Sequence, residues 1–396
     1  MTRDEMLLFE KKPLCPIVEE LKGIFESSLE AQGAFKEAID SIKDFPDEPP
    51  LKPKKNIWSE KDYMDYCYYF NNWFHFLATP SKVGLGFIMH FTEFYYNNEK
   101  ASYFLNTFKI NDEPVIYDWT VKFIMARGKF MDTPSTEVQE AIAEWVNDPA
   151  THIEDFRVPG GGYRTFNEFF TRELKPGARP VSSAEDDAVI VAPADCELNM
   201  IDSALTGETV IETKGHNKLN VKQLLNGYYS WDRFIGGTAL SCVLLPSDYH
   251  HYHSPVTGKL VHYEEAGKVY FGLEEAPSWF HNGNVGASDA DFSVFEQFHR
   301  AIFIFQTERF GQVAMVAVGL NTISKIGADM SSINTANKYK KIDDQNPLLV
   351  YKGEQLGHFK YGGSLNILLF EPGVFKGVKV HQGQRIGTLS KPATLF

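Results

Sequence analysis

The amino-acid pattern changes near residue 160, and this change constrains the fold more than any other feature. Before it, apolar side chains recur at the spacing of amphipathic helices. After it, short runs rich in β-branched residues alternate with turns that contain Gly or Pro. We therefore predict an α+β protein, with a helical domain at residues 1–155 and a β-rich domain at 156–396.

The helical pattern is clearest in four segments, and Thr136 is placed to cap a fifth helix that runs through Trp145. The four segments are 17–42, 63–76, 83–96 and 115–130. A Pro- and Lys-rich stretch at 45–55 is typical of a surface linker. The predicted strands are 189–191, 209–213, 239–245, 301–306, 313–320 and 365–370.

The composition excludes some classes of partner. The net charge of the 396-residue chain is −13, which argues against nucleic acid, since that ligand needs a basic face. The same charge argues against electrostatic attachment to anionic lipid. With 31 Phe, 18 Tyr and 6 Trp, the sequence favours large aromatic cores over an aromatic-lined pocket.

The four cysteines, Cys15, Cys67, Cys196 and Cys242, are widely spaced and form no CxxC motif. This pattern indicates neither a zinc site nor a disulfide framework, so we expect a reducing, cytoplasmic location. The first residues lack the pattern of a signal peptide, and no run of 18 apolar residues predicts a membrane-spanning helix. No glycine-rich phosphate loop supports nucleotide chemistry.

Three histidines lie within four residues, at His250, His251 and His253. Alternation along a strand would place His251 and His253 on one face and His250 on the other. The segment alone leaves three interpretations open: support of a turn, acid–base catalysis near neutral pH, or metal binding. We predict no metal, because a metal site would need further ligands and only scattered ones are available.

Two further segments carry groups that could react. Asp195 follows a Pro turn, where an aspartate either forms an Asx-turn or orients a histidine. The Gly-Gly-Ser sequence at 362–364 precedes an apolar run, and such a sequence by itself is most often a turn. Asp195, His253 and Ser364 nevertheless supply the three residue types of a catalytic triad, which is recognised by geometry rather than by chain order.

Four segments, in this order, resemble the phosphatidylserine decarboxylase family of pyruvoyl-dependent enzymes. They are FNEFFTRELKPGARPV at 166–181, APAD at 192–195, LLPSDYHHYHSPVTGKL at 244–260 and LGHFKYGGSLNILLFEPG at 356–373. The resemblance covers most of residues 160–396 and implies a β-rich domain of the barrel-sandwich type. The charged residues of the first segment, Glu168, Arg172 and Arg179, are predicted to form structural ion pairs rather than to bind substrate.

The resemblance implies that the chain cleaves itself between Gly363 and Ser364. Ser364 would attack the carbonyl of Gly363, with His253 as the base and Asp195 as the residue that orients it. The product would be a covalent pyruvoyl group, derived from Ser364, at the start of a small chain 364–396. Such a group forms a Schiff base with the substrate amine and accepts electrons when carbon dioxide leaves.

By the same resemblance, His250 assists decarboxylation through proton transfer. Two positions depart from the family pattern: Leu365 stands where the family commonly has Thr, and Cys196 stands where it commonly has Gly. Neither departure removes the serine, the histidines or the aspartate. We therefore expect self-processing to be retained.

The helical domain points to a class of substrate. It resembles the domain that precedes the pyruvoyl domain in fungal L-tryptophan decarboxylases of the psilocybin type, through an apolar run after Thr79-Pro80 and ARGKFMDTPST at 126–136. This resemblance implies a free aromatic L-amino acid as the small-molecule substrate, with tryptophan favoured. Two alternatives remain: a phosphatidylserine decarboxylase that touches the membrane, and an unprocessed protein that only binds a partner.

Overall fold

The computed structural model describes residues 7–42, 56–81, 85–95, 98–202, 205, 221–267, 299–320, 326–327, 342–360, 363–380 and 382. The predicted linker at 45–55 and the predicted strand at 209–213 lie outside the described residues. Within them, helices occupy the first part of the chain and antiparallel strands the later part. The α+β class is therefore confirmed.

The described part of the N-terminal half contains seven α-helices. They are α1 Pro16–Ser27, α2 Leu29–Asp40, α3 Tyr63–His75, α4 Leu85–Tyr95, α5 Glu99–Asn106, α6 Val115–Met131 and α7 Thr136–Asn147. Two shorter helices follow, α8 Phe166–Phe170 and α9 Val221–Leu224. Helices α3, α4 and α6 begin and end close to the predicted positions.

Two details of the helices differ from the prediction. The segment 17–42 is broken at Ser28, whose backbone is extended and whose Oγ accepts a hydrogen bond from the amide of Ala31. This cap starts a new helix, because it satisfies an amide that would otherwise have no partner. The cap of α7 is Ser135 rather than Thr136, since Ser135 Oγ accepts from the amide of Val138 at 3.2 Å.

The aromatic residues of the helical part form a packed core. Tyr66 and Phe70 have ring centroids 4.8 Å apart, and Phe35 lies 4.9 Å from the same Tyr66 ring. All three side chains are buried. Ring pairs at these distances stabilise a core beyond the area they bury. The expected use of the aromatic residues as core is therefore confirmed.

The strands form two antiparallel sheets. They are β1 Glu197–Asp202, β2 Thr238–Leu244, β3 His251–His253, β4 Gly258–Ala266, β5 Arg300–Gln306, β6 Gln312–Leu320, β7 Ile326–Gly327, β8 Leu348–Val350, β9 Gln355–Phe359 and β10 Gly363–Phe370. The larger sheet has the order β1-β2-β10-β6-β5-β4-β8, and the smaller sheet has the order β3-β9-β7. The described strands do not close into a barrel, so the barrel-sandwich type stays a prediction.

Four of the predicted strands are confirmed as β2, β5, β6 and β10. The segment 189–191 is instead irregular, and the amide of Val191 donates to the carbonyl of Pro255. One backbone hydrogen bond holds the segment 189–191 in place but does not make it a strand of the sheet. The strand β10 starts two residues earlier than predicted, at Gly363.

Side chains of the central strand β10 alternate between two cores, as the period of a strand requires. Leu365 and Ile367 join a hydrophobic cluster that also contains side chains of the helical part, such as Phe25. Leu368 and Phe370 point to the opposite face, where they join a cluster with residues of the smaller sheet. Because one hydrophobic cluster contains both helix and sheet residues, the division at 155/156 stays a prediction.

Candidate active site at the Gly363–Ser364 junction

The Gly363–Ser364 peptide lies at the first two residues of β10, between two neighbouring strands. Gly363 pairs with Leu320 of β6, and Ser364 pairs with Gly319 of β6 and Leu244 of β2. Ser364 is 1% exposed. The backbone of the junction is therefore held in the interior of a sheet, and its serine hydroxyl is shielded from solvent.

The side chain next to this hydroxyl is His250. Its Nδ1 lies 3.5 Å from Ser364 Oγ, which is the outer limit of a hydrogen bond. The ring of Phe170 stacks on the imidazole, with centroids 3.7 Å apart and planes inclined by 19°. Burial lowers the pKa of His250 well below its usual value, because a charged imidazole is penalised in an apolar setting. His250 is therefore uncharged at neutral pH.

Arg172 holds the loop that leads to His250. Its Nη2 donates to the carbonyls of Ser247 at 2.5 Å and Asp248 at 3.0 Å. The guanidinium also lies 4.2 Å from the ring centroid of Phe156 and 4.8 Å from that of Phe169. Burial lowers the pKa of Arg172 to about 10, so the group keeps its charge at neutral pH. This charge strengthens the bonds that position the loop.

The predicted ion pairs of the first motif need correction. Arg179 does form them, with Asp155 at 2.6 Å and Asp195 at 2.8 Å. Arg172 instead binds backbone carbonyls and is buried between aromatic rings. The carboxylate of Glu168 accepts from the amide of Arg164 at 2.6 Å, so this contact is with the backbone rather than an ion pair.

His253, which the resemblance implies as the base, has a partner at each ring nitrogen. Its Nδ1 lies 2.8 Å from the carbonyl of Gly353, so this nitrogen carries the proton and donates. Its Nε2 accepts from the hydroxyl of Tyr249 at 3.0 Å. Burial lowers its pKa. Both ring nitrogens have partners, and the contact with Ser364 comes from His250 instead.

Asp195 is bound by Arg179 rather than by His253. The Nε and Nη2 atoms of Arg179 donate to its carboxylate at 3.0 Å and 2.8 Å. The segment still lies beside the histidine motif, because the amide of His253 donates to the carbonyl of Pro193 at 2.7 Å. The structure thus brings the motifs together. Among the described residues no hydrogen bond joins Asp195 to His253, but the charge of Asp195 opposes the lowering of the His253 pKa. The orienting role implied for Asp195 stays a prediction.

The three histidines diverge. His251 Nε2 lies 2.9 Å from the carbonyl of Thr171, and His251 stacks on the same Tyr249 ring that binds His253. His250 points the other way, as strand alternation predicts. Across the described ranges, no group of three or more His, Cys, Asp or Glu side chains is arranged to hold a metal ion.

The two departures from the family pattern do not face the serine hydroxyl directly. Leu365 is fully buried in the helix-side core, on the opposite face of β10 from Ser364. Cys196 directly precedes β1 and packs beside the core between the two sheets. The thiols of Cys196 and Cys242 interact, and this contact together with burial raises the pKa of Cys242.

Three residues of the site were missed or misread from sequence: Phe170, Arg172 and Asn366. Asn366 is fully buried, two residues after Ser364 in β10. The signal that could have revealed it is simple, because it is the single amide within the apolar run 365–370. A polar side chain inside a buried strand needs an explanation.

The comparisons with known proteins agree with this site. A sequence profile of the phosphatidylserine decarboxylase family matches residues 166–388, more than half of the chain. Phosphatidylserine decarboxylase proenzyme 2 of Komagataella phaffii is 30% identical over 278 residues, which are 68% of this chain and 25% of that protein. The proenzyme of Brevibacillus brevis is 29% identical over 272 residues, 66% of this chain and 91% of the relative.

A third relative, the phosphatidylserine decarboxylase proenzyme of Vibrio vulnificus, is 31% identical over 253 residues, 60% of this chain and 82% of that protein. The chain spans between 20% and 35% of the length of two fungal relatives and one plant relative. Among the helices described, none is both long and apolar enough to cross a bilayer. The profile match, together with the buried Gly-Ser junction and its histidine, shows that the chain belongs to the phosphatidylserine decarboxylase family.

Proposed function

We propose that this chain is a self-processing, pyruvoyl-dependent decarboxylase whose substrate is phosphatidylserine. The observation that carries the proposal is the contact between Ser364 Oγ and His250 Nδ1 at a buried Gly-Ser peptide. This peptide lies inside the segment that matches the family profile. The names of the relatives support the same activity, because they describe phosphatidylserine decarboxylase proenzymes.

Self-processing follows from the chemistry of these groups. Ser364 Oγ attacks the carbonyl carbon of Gly363, while its proton passes to the neutral His250. The C–N bond breaks, the amine takes up a proton, and an ester replaces the peptide. Loss of the α-proton of residue 364 then expels the Gly363 carboxylate. Water hydrolyses the resulting dehydroalanine to a pyruvoyl group and releases ammonia.

The residues around Ser364 fit a polar prosthetic group. His250 Nε2 and both polar atoms of Asn366 are buried without a hydrogen-bond partner in the described structure. Buried polar atoms in proteins are normally satisfied, so these atoms are available to hold the pyruvoyl group and its ligand. The pyruvoyl ketone supplies an electrophile that condenses with the substrate amine and accepts electrons as carbon dioxide leaves.

Phosphatidylserine is favoured over the free aromatic amino acid that the helical domain suggested. The family profile and the relatives support the lipid alternative, and none of them supports the tryptophan decarboxylase branch. The aromatic residues of the helical part form packed core, so they give no separate support for an aromatic pocket. We therefore propose phosphatidylserine, in place of the predicted free aromatic amino acid, as the substrate.

A groove on the inter-sheet side of the larger sheet supports a lipid substrate. Its volume is about 1010 Å³, and its floor includes the apolar side chains of Leu240 and Leu368. Three cationic side chains, Arg309, Lys376 and Lys379, and two acidic ones, Asp187 and Glu371, also line it, whereas Ser364 is not part of its wall. An apolar floor with cations suits acyl chains beside a phosphate. The charges are local, so they are compatible with the net charge of −13.

The test is the intact mass of the purified chain under denaturing conditions, followed by substrate assays. We expect two chains, the smaller one starting at residue 364 with a pyruvoyl end, and a single chain in Ser364→Ala. The processed protein should release carbon dioxide from phosphatidylserine vesicles and not from L-tryptophan. Release of carbon dioxide from L-tryptophan and not from phosphatidylserine would instead support the amino-acid decarboxylase. A single uncleaved wild-type chain would support the binding-protein alternative.

A further inference from the structure

Asn366 is a buried polar side chain, two residues after Ser364, that self-processing does not use. It is 0% exposed, and neither its Nδ2 nor its Oδ1 has a hydrogen-bond partner within the part of the chain that the structure describes. An amide buried in this way loses its hydrogen bonds to water without replacement, which disfavours the folded state. Buried polar side chains are normally hydrogen-bonded, so this one needs an explanation. This residue therefore points to a ligand.

The amide lies on the same face of β10 as Ser364. Residues two apart in a strand share a face and are about 6.5–7 Å apart along the strand. Directly opposite residues share that face as well. On β6 these are Gly319 beside Ser364 and Ala317 beside Asn366. Neither of these two residues has a side chain larger than a methyl group.

We infer that the side-chain amide of Asn366 donates a hydrogen bond to the α-carboxylate of the substrate, so that Asn366 is a substrate-orienting residue. This inference rests on the proposed decarboxylase activity. The substrate of such an enzyme carries its carboxylate on the carbon next to the reacting amine. A substrate joined at position 364 therefore has its carboxylate a few bonds away, a distance comparable to the spacing of the two side chains.

A neutral amide suits this reaction better than a cation. The carboxylate loses its charge as carbon dioxide forms, so an ion pair would stabilise the substrate more than the transition state and slow the reaction. An uncharged donor orients the carboxylate at a smaller cost. The nearby cation Arg172 is already bound to the carbonyls of Ser247 and Asp248.

The experiment compares two ligands that differ only in the carboxylate: glycerophosphoserine and glycerophosphoethanolamine. Binding is measured by calorimetry to the processed protein after borohydride has reduced its ketone, so that no condensation occurs. In the wild type, we expect the carboxylated ligand to bind about tenfold tighter or more, as for a hydrogen bond to a charged group. In Asn366→Leu and Asn366→Ala, that preference should disappear, while binding of glycerophosphoethanolamine should be unchanged.

Thermal unfolding of the uncleaved forms provides a second readout, with both variants made in the Ser364→Ala background. Because the amide has no partner to lose, Asn366→Leu should melt at or above the temperature of its parent. Asn366→Ala is included because leucine is larger than asparagine and could destabilise the protein by steric strain alone. The matched control is Ser241→Ala. Ser241 is also a buried residue with an unpartnered side chain, on the neighbouring strand β2, but it faces the other core.

Each outcome decides the inference. A carboxylate preference that survives in both Asn366 variants would overturn it, as would its equal loss in Ser241→Ala. A marked fall in melting temperature in both variants would assign Asn366 a structural role instead. A folded variant that stays uncleaved would assign it to processing. If the wild type itself is not cleaved, the proposed function fails first. If it decarboxylates tryptophan, the tryptophan–tryptamine pair replaces the two ligands, because the α-carboxylate is common to both substrates.

Discussion

The hydroxyl of Ser364 lies 3.5 Å from Nδ1 of His250, and both side chains are 1% exposed. The serine belongs to the large sheet, while the histidine directly precedes the first strand of the small sheet. The packing of the two sheets therefore creates this contact. Its length is that of a resting contact, and such contacts commonly tighten along the reaction path.

The first prediction separates the two candidate bases. Replacing His250 with Gln should slow self-cleavage by about 10²–10⁴-fold, the usual contribution of a general base. Replacing His253 with Gln should have a smaller effect, because that side chain already binds Gly353 and Tyr249. The measurement is the time course of chain cleavage by denaturing mass spectrometry. The opposite ranking would return the role of base to His253.

The second prediction concerns Asp195, which Arg179 links to Asp155. Asp195→Asn should lower the free energy of unfolding by less than about 1 kcal/mol, since the pair is partly exposed to solvent. Its cleavage rate should stay close to that of the wild type. Asp155→Asn is the matched control, because it breaks the other half of the same link. If Asp195→Asn alone stopped cleavage, Asp195 would have the orienting role that its motif implies.

The third prediction is the pH dependence of self-cleavage. Burial holds the pKa of His250 well below its ordinary value of 6.5, so the neutral base is fully present at pH 6.5 and above. Cleavage should therefore be constant down to this pH and should decline only well below it. An inflection at or above 6.5 would contradict a buried neutral base.

The control for this profile is Asp248→Asn. Burial raises the pKa of Asp248 from 3.8 to about 6, so this carboxyl also becomes protonated as the pH falls below neutrality. Asparagine keeps an oxygen that can accept from the amide of Leu245, as the carboxylate does. If the decline of the rate at low pH persists in this variant, the titration of Asp248 is not its cause.

The fourth prediction tests the basic side of the groove. Lys379→Glu should weaken binding to phosphatidylserine vesicles by about fivefold or more, since one lysine near an anionic surface contributes about 1 kcal/mol. Vesicle co-sedimentation measures this change, and added salt should reduce the difference. Lys109→Glu changes the net charge equally on the helical part and should have little effect. Equal weakening by both variants would mean that net charge, rather than the groove, controls binding.

Much of the fold could be predicted because its signals are local. The apolar spacing of α3 and α6 and the β-branched runs of β5 and β6 are visible in short windows of sequence. Six strands were not predicted: β1, β3, β4, β7, β8 and β9. Four of them are short, five residues or fewer, and the longer β1 and β4 mix polar with apolar residues. Such strands are stabilised by their partners in the sheet more than by their own pattern.

For the candidate site, too, some features could be predicted from the sequence and others could not. The positions of Ser364, His250, His253 and Asp195 within four segments could be recognised from the chain alone. Which of these side chains are in contact could not be predicted, because they lie on segments that are far apart in the chain. The backbone carbonyl of Gly353 determines the orientation of His253. The side chain of Arg179 forms hydrogen bonds with Asp195.

The sequence by itself determined the α+β class, the family resemblance, the reactive junction and the set of residues available for catalysis, because these depend on local pattern and residue type. Tertiary structure decided that His250 rather than His253 contacts Ser364, and that Asn366 is buried beside them without a partner. The physical reason is that contacts between two sheets depend on register and packing across more than 100 residues of chain, as for Ser364 and His250, separated by 114 positions.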